Sequence, residues 1–385
     1  MIPATDKISA KQLFAMGFLC QLSPLIRRVP AKTAEAAGGA AWLSVLLSAA
    51  PLAIAFFFVY LLVGGKGGVG LGSALVEALG GFAGRALLAV YALWFIFLAS
   101  FILRSGADRF IGTIYPGSGP SLFVVVMLLA CLPAAMGQLK AIARSAMLLR
   151  PVLLAVLLTV FAFSLPDVRL AGMWQVTPEN ELDVIYGTFS VFGPMSICLY
   201  LAFVTDQAEG QIKLSGLAAW LLAALAVAEL LCVTTIGAFG AEMTARLSNP
   251  FFALVRDVKI FNAVERIDAI VVAMWVFSDF VLISLLLYAA AKNLRMGLGI
   301  VPHGEKARLT DLSRGRWLTP LCALLAMVSG LIMAPDAVSL EKFTEVIVPV
   351  LNLLFAIVLP ALVFAAGRLR RGFLLLAGKR RQKGL

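Results

Sequence analysis

Gln21-Leu-Ser-Pro24-Leu-Ile26 and, 170 residues later, Val191-Phe-Gly-Pro194-Met-Ser196 each set a proline beside a small residue inside a long apolar stretch. Proline lacks an amide hydrogen and its ring crowds the preceding turn, so a membrane helix carrying it either kinks or breaks. A break frees N–H and C=O groups where lipid cannot satisfy them. Taken singly, each proline reads as a kink. As a matched pair, one in each half of the chain with four apolar stretches between, they read as a five-plus-five inverted repeat. In such a repeat, half-helix N-termini face a bound anion and freed carbonyls face a cation near the bilayer midplane.

The composition outside these two stretches agrees with a membrane setting. Hydrophobic residues make up 61% of the 385 and charged residues 14%, with a mean hydropathy of +0.97; soluble globular domains lie far from these values. A span needs roughly 20 helical residues. Residues 36–65, 86–103, 110–139, 184–205, 317–335 and 346–367 supply spans almost free of charge. Residues 12–26, 146–165, 214–240 and 267–291 supply four more, each interrupted by proline or an ionisable side chain. The expected fold is all-α, about ten transmembrane helices in a single membrane domain over residues 1–385, with helices 1 and 6 broken. No secretory cleavage pattern precedes the first helix, which is expected to be retained.

Charge follows topology. Residues 292–316 carry six Lys and Arg and the 368–383 tail carries seven, placing these segments, and both termini, on the cytoplasmic side. Arg27, Arg28 and Lys32 run against that bias on the outer side. The net charge of +11 therefore reads as membrane orientation rather than nucleic-acid binding. The five cysteines fall inside spans without the spacing of a disulfide framework or a zinc site, and the only histidine, His303, lies in a polar loop, so no metal or other cofactor is expected. Gly65-Lys-Gly-Gly-Val-Gly70 fits a dinucleotide fingerprint formally, but it follows a membrane helix rather than a strand, and reads as a turn.

The sequence resembles the B subunit of GerA-type spore germinant receptors, a branch of the amino acid-polyamine-organocation permease superfamily. The likeness begins at Lys7-Ile-Ser-Ala-Lys-Gln-Leu13 and continues through Ala40-Ala-Trp42-Leu-Ser and Gly137-Gln-Leu-Lys-Ala-Ile-Ala-Arg144. It is most specific at Asn249-Pro250 to Arg256, Val264-Glu-Arg-Ile-Asp268-Ala and Trp275. The resemblance implies a LeuT-like permease fold and a small germinant, often an amino acid. It further implies an assembly with A and C subunits in a spore's inner membrane.

The candidate pocket lies where the two proline-bearing helices meet and draws on Gln21, Ser23, Pro24, Phe192, Gly193, Pro194 and Ser196. Free amides after the first break would hold a carboxylate, and carbonyls and hydroxyls an ammonium. Tyr91 is a candidate lid or donor, with a packed aromatic as the other reading. Asp279, beside Ser278, and Glu229 are acids inside spans; each serves ion or proton coupling or else an interhelical hydrogen bond. Glu265, Arg266, Asp268 and Trp275 are expected to fix the loop before the eighth helix, and Arg144 to dock a cytoplasmic loop. The competing function is a proton- or cation-coupled amino-acid transporter. A membrane enzyme is disfavoured, since no nucleophile elbow or metal-ligand cluster stands in the sequence.

Overall fold

The computed structural model describes residues 7–63, 69–115, 117–171, 173, 181–257, 268–300, 315–334 and 336–382. Among them there is no strand, only an isolated parallel bridge between Ile8 and Ala208. Ten membrane passes follow in order: α1 (Ala10–Ala37), α2 (41–63), α3 (Gly81–Thr113), α4 (Pro120–Met136), α5 (Leu139–Ser164), α6 (Glu181–Gln207), α7 (Leu214–Phe239), α8 (Asp268–Gly297), α9 (Leu318–Met333) and α10 (Val338–Arg370). The number of passes and the helical class agree with the sequence reading.

Local chemistry sets several of these boundaries. Ser9 opens α1 with a reciprocal cap, its hydroxyl accepting from the Gln12 amide at 3.3 Å while the Gln12 side chain accepts from the Ser9 amide at 2.8 Å. Both orphan donors of the first turn are thereby satisfied. Gly38, at φ 55°, adopts a conformation that disfavours a side chain and lets the chain fold back. As a result Val59 and Val63 at the end of α2 share a cavity of about 70 Å³ with Leu13 and Gly17 at the start of α1. Helix α3 runs on to Thr113, well beyond the expected end at Leu103. Arg104 does not snorkel outward: it is buried and donates from Nε to the Ala334 carbonyl at 2.8 Å. The fourth pass accordingly starts at Pro120, not at Phe110, with proline in the first turn where its missing N–H costs nothing.

Helices α3, α6 and α8 are mostly buried and form the centre with α1, while α5, α7 and α10 turn much of their apolar surface outward, as lipid-facing helices do. In α10 two wide π-turns, Phe343–Ile347 and Leu354–Val358, interrupt the α-helix.

At the end of the bundle that carries the N-terminus, Lys292 of α8 reaches the Asp206 carboxylate (2.5 and 2.6 Å) and the Phe203 carbonyl (2.8 Å). Beside it, the Ile8 amide donates to the Gln207 carbonyl and the Glu209 amide to the Ile8 carbonyl, both at 2.8 Å. Lys292→Met leaves Asp206 without its cation. Because Asp206 keeps a quarter of its side chain in contact with solvent, the expected cost is about 1–3 kcal/mol rather than that of a fully buried pair. The check is hydrogen exchange, which should speed up at Ile8 and Glu209 and stay unchanged in the middle of α3.

Candidate functional site

Helix α1 is not broken at Pro24, contrary to the sequence expectation; its backbone stays helical from Ala10 to Ala37. Pro24 and Pro30 supply no amide hydrogen to its ladder, and the rung just before Pro24 draws in a side chain. In a regular helix the Ser23 amide would bond the Leu19 carbonyl. Here the Ser278 hydroxyl of α8 stands between them, accepting from the Ser23 amide at 2.9 Å and donating to the Leu19 carbonyl at 2.5 Å. A hydroxyl can donate and accept at once, so it spans the gap and leaves neither backbone group orphaned in lipid. Insertion of a side chain into the ladder one turn before a proline is a known way for a helix to bend, and it makes a full break unnecessary.

The same turn gathers charge. The Arg109 guanidinium of α3 donates from Nη1 to the Ser23 hydroxyl at 2.6 Å and from Nη2 to Asp279 Oδ2 at 2.5 Å. The side chains of Arg109 and Asp279 are 5% and 3% exposed, which makes the pair a buried one. The face of the Trp275 ring lies 5.5 Å from the guanidinium carbon, within the reach of a cation–π contact. Arg109 and Ser105 stand one turn apart on α3, and Ser105 accepts from Arg27 of α1. Gly106, between them, makes room for the acid: a Cβ there would lie 3.2 Å from Asp279 Oδ2.

The sixth pass is likewise not broken at Pro194, contrary to the sequence expectation; it leaves α-geometry by tightening. Its α-helix ends at Ser196 and continues as an eleven-residue 3-10 helix from Ile197 to Gln207, unusually long for that form. At the transition the Gly193 carbonyl accepts from the Ser196 hydroxyl at 2.9 Å and from Asn352 Nδ2 of α10 at 3.5 Å. Asn352 Oδ1 in turn accepts from the Tyr200 hydroxyl (2.7 Å), which accepts from Trp94 Nε1 (2.8 Å). Both proline-bearing helices thus carry a local change in their hydrogen-bond pattern, and they pack against each other.

A family model described as "Spore germination protein" (Spore_permease) matches residues 7–338. This chain belongs to the spore germination protein family. Its relative YfkT of Bacillus subtilis (strain 168), itself named as a spore germination protein, is 22% identical over 360 residues, covering 93% of this chain and 96% of the relative. The crystal structure of MhsT in complex with L-phenylalanine matches with a TM-score of 0.57 at 15% identity, over 94% of this chain and 99% of that one. The last likeness concerns the fold, which is LeuT-like.

In this spore germination family member, the expected pocket residues are brought together but sealed. Gln21, Ser23 and Phe192 are each 1% exposed and Ser196 is fully buried, while Gln21 Oε1 has no hydrogen-bond partner among the described residues. Tyr91 is not part of that group. Its hydroxyl donates to the Phe355 carbonyl at 2.8 Å in the second wide turn of α10, and its ring packs on Phe95, Phe203 and Phe355. Glu229 of α7 is half-buried, its Oε2 without a hydrogen-bond partner among the described residues. Arg144 lies exposed on α5 with no ion pair among the described residues. Trp275 packs under Phe252. Of the loop before α8, Asp268 begins the helix, while Glu265 and Arg266, like His303 and residues 65–68 of the glycine-rich turn, lie outside the described residues.

Beyond the Arg109 cluster, a cavity of about 240 Å³ is lined by Arg27, Arg28, Lys32, Asp108, Glu341 and Glu345 among others. Lys32 bridges Glu35 and Glu345 there. Arg109 and Ser105 escaped the sequence reading because the third span was taken to stop at Leu103. The signal that would have found Arg109 was Asp279 itself, since an acid inside a membrane bundle calls for a cation within reach.

Proposed function

We propose that this protein is the permease-like membrane subunit of a spore germinant receptor, binding a small nutrient, an amino acid, between α1 and α6 and signalling to A and C partner subunits from the spore's inner membrane. The observation that carries the reading is the sealed meeting of the two altered helices. There Gln21 presents an unpartnered oxygen, and the Gly193 carbonyl is held by side chains that can yield it to a ligand ammonium. The amino-acid assignment is supported by MhsT, which has the same fold and whose crystal structure contains L-phenylalanine. Ser23, Gly193 and Ser196 set the polar contacts, Pro24 and Pro194 the altered backbone, and Phe192 the size of side chain admitted. Both termini are assigned to the cytoplasm on the positive charge of the inner segments. The cavity bearing Arg27 and Arg28 then opens outward and gives the ligand its way in.

One observation favours a second reading. Glu229 has a carboxylate oxygen with no hydrogen-bond partner among the described residues, inside a membrane pass, the placement of a proton carrier in a coupled amino-acid transporter.

Reconstitution in proteoliposomes separates the two. Saturable binding of a labelled amino acid without accumulation, weakened about ten-fold or more by Gln21→Leu through the lost hydrogen bond, is the expected result. Uptake that needs no partner and disappears with Glu229→Gln would establish the transporter instead.

A further inference from the structure

We infer that the groove between the start of α3 and the end of α8 binds one anionic phospholipid, drawn from the leaflet at the end of the bundle that carries the N-terminus. The groove holds about 610 Å³ and is lined by Phe82, Arg85, Ala86, Ala89, Leu294 and Leu298, with glycines between them. That size takes a headgroup together with the first methylenes of its chains. The alanines and glycines make the opening, and the larger apolar side chains stand at its rim, Phe82 91% and Leu298 63% exposed. Further along α3, Val90 and Leu93 also turn outward, so an apolar track leads from the groove into the hydrocarbon. Exposed aromatic and aliphatic side chains at this depth are suited to acyl chains.

Arg85 supplies the selection. Among the described residues it is the one ionisable side chain lining the groove; it is exposed, and its guanidinium has neither ion pair nor hydrogen bond among them. Gly299, at φ 73°, leaves it room, since a Cβ there would lie 3.5 Å from Arg85 Nη1. Arg370, beside Gly80, is by contrast committed to the Glu77 and Ala78 carbonyls, each at 3.4 Å. A free guanidinium forks onto two oxygens of a phosphate diester. No carboxylate lines the groove, so the ammonium of a choline or ethanolamine headgroup finds no counter-charge. A phosphoglycerol headgroup, negative overall, is the chemistry that matches: its phosphate rests on Arg85 and its chains run past Ala86, Ala89 and Leu294. This site is separate from the meeting of α1 and α6 and stands whatever binds there.

The experiment is native mass spectrometry of the full chain in a neutral detergent, titrated with phosphatidylglycerol and with phosphatidylcholine of the same chains. Wild type is expected to retain one phosphatidylglycerol, about ten-fold more tightly than phosphatidylcholine; equal retention of the two, or of neither, would overturn the inference. Arg85→Gln should bring phosphatidylglycerol down to the phosphatidylcholine level, and unchanged retention would count against the site. Arg368→Gln removes the same charge from another exposed position at that end of the bundle and should leave binding as it was; an equal loss there would reduce the effect to general surface charge. Ala86→Trp, at an exposed position, keeps Arg85 and fills the groove, so it should lose the lipid too. Displacement of the bound lipid by millimolar inorganic phosphate would assign the site to a soluble anion and overturn the lipid reading.

Discussion

Asp279→Ala should lower the stability of the folded bundle by about 3–5 kcal/mol, the range for stripping one partner from a buried ion pair. The reason lies in what remains. The Arg109 side chain stays 5% exposed, with the Ser23 hydroxyl its one remaining side-chain hydrogen-bond acceptor among the described residues and the Trp275 ring beside it. Replacing both partners by apolar residues, Arg109→Met with Asp279→Leu, removes the desolvation cost on both sides and should recover most of the loss. Unfolding of the purified protein in detergent reads both variants. If the double variant were no more stable than the single one, the deficit would lie in packing and not in the stranded charge.

Gly84→Ala is expected to be nearly as damaging for a purely steric reason. A Cβ at that position would lie 2.5 Å from the Cα of Val76 and 3.1 Å from its amide nitrogen. Both are backbone atoms of the short helix Leu71–Leu79, so no side chain can swing aside. Alanine favours a helix over glycine by about 1 kcal/mol, but forced overpacking costs about 1–3 kcal/mol and more where backbone must move; the clash wins. Gly112 of α3, the helix that also carries Gly84, is the control, since a Cβ there meets nothing within 4 Å. Gly112→Ala should be neutral or stabilising by up to about 1 kcal/mol, and the two melting temperatures should move in opposite directions.

The ten passes were legible because lipid removes the alternatives: apolar stretches of sufficient length have to be helical to satisfy their own backbone. The positions of Ser278 and Asp279 were legible for the related reason that a polar side chain in a span is costly unless it is used. The response of α1 to Pro24 was not, since a proline constrains its own helix and says nothing of a hydroxyl arriving from α8, 255 residues along the chain. Arg109 was hidden by Arg104, which looks like the end of a span and is instead satisfied inside by the Ala334 carbonyl. Tyr91 was legible only as a choice between a lid or donor and a packed aromatic, and the folded chain shows the second. Its donor is already taken. Arg28 beside Arg27 gave no such guide, and its Nε remains unpartnered among the described residues.

The parallel bridge at Ile8 has a mechanical meaning. Ile8 is fully buried and clasped on both sides by the strip from Gln207 to Glu209, one residue before the first turn of α1. Tension on the leading end of the polypeptide would thus be shared at once by the first and sixth passes, through two backbone hydrogen bonds that add to the packing between the helices.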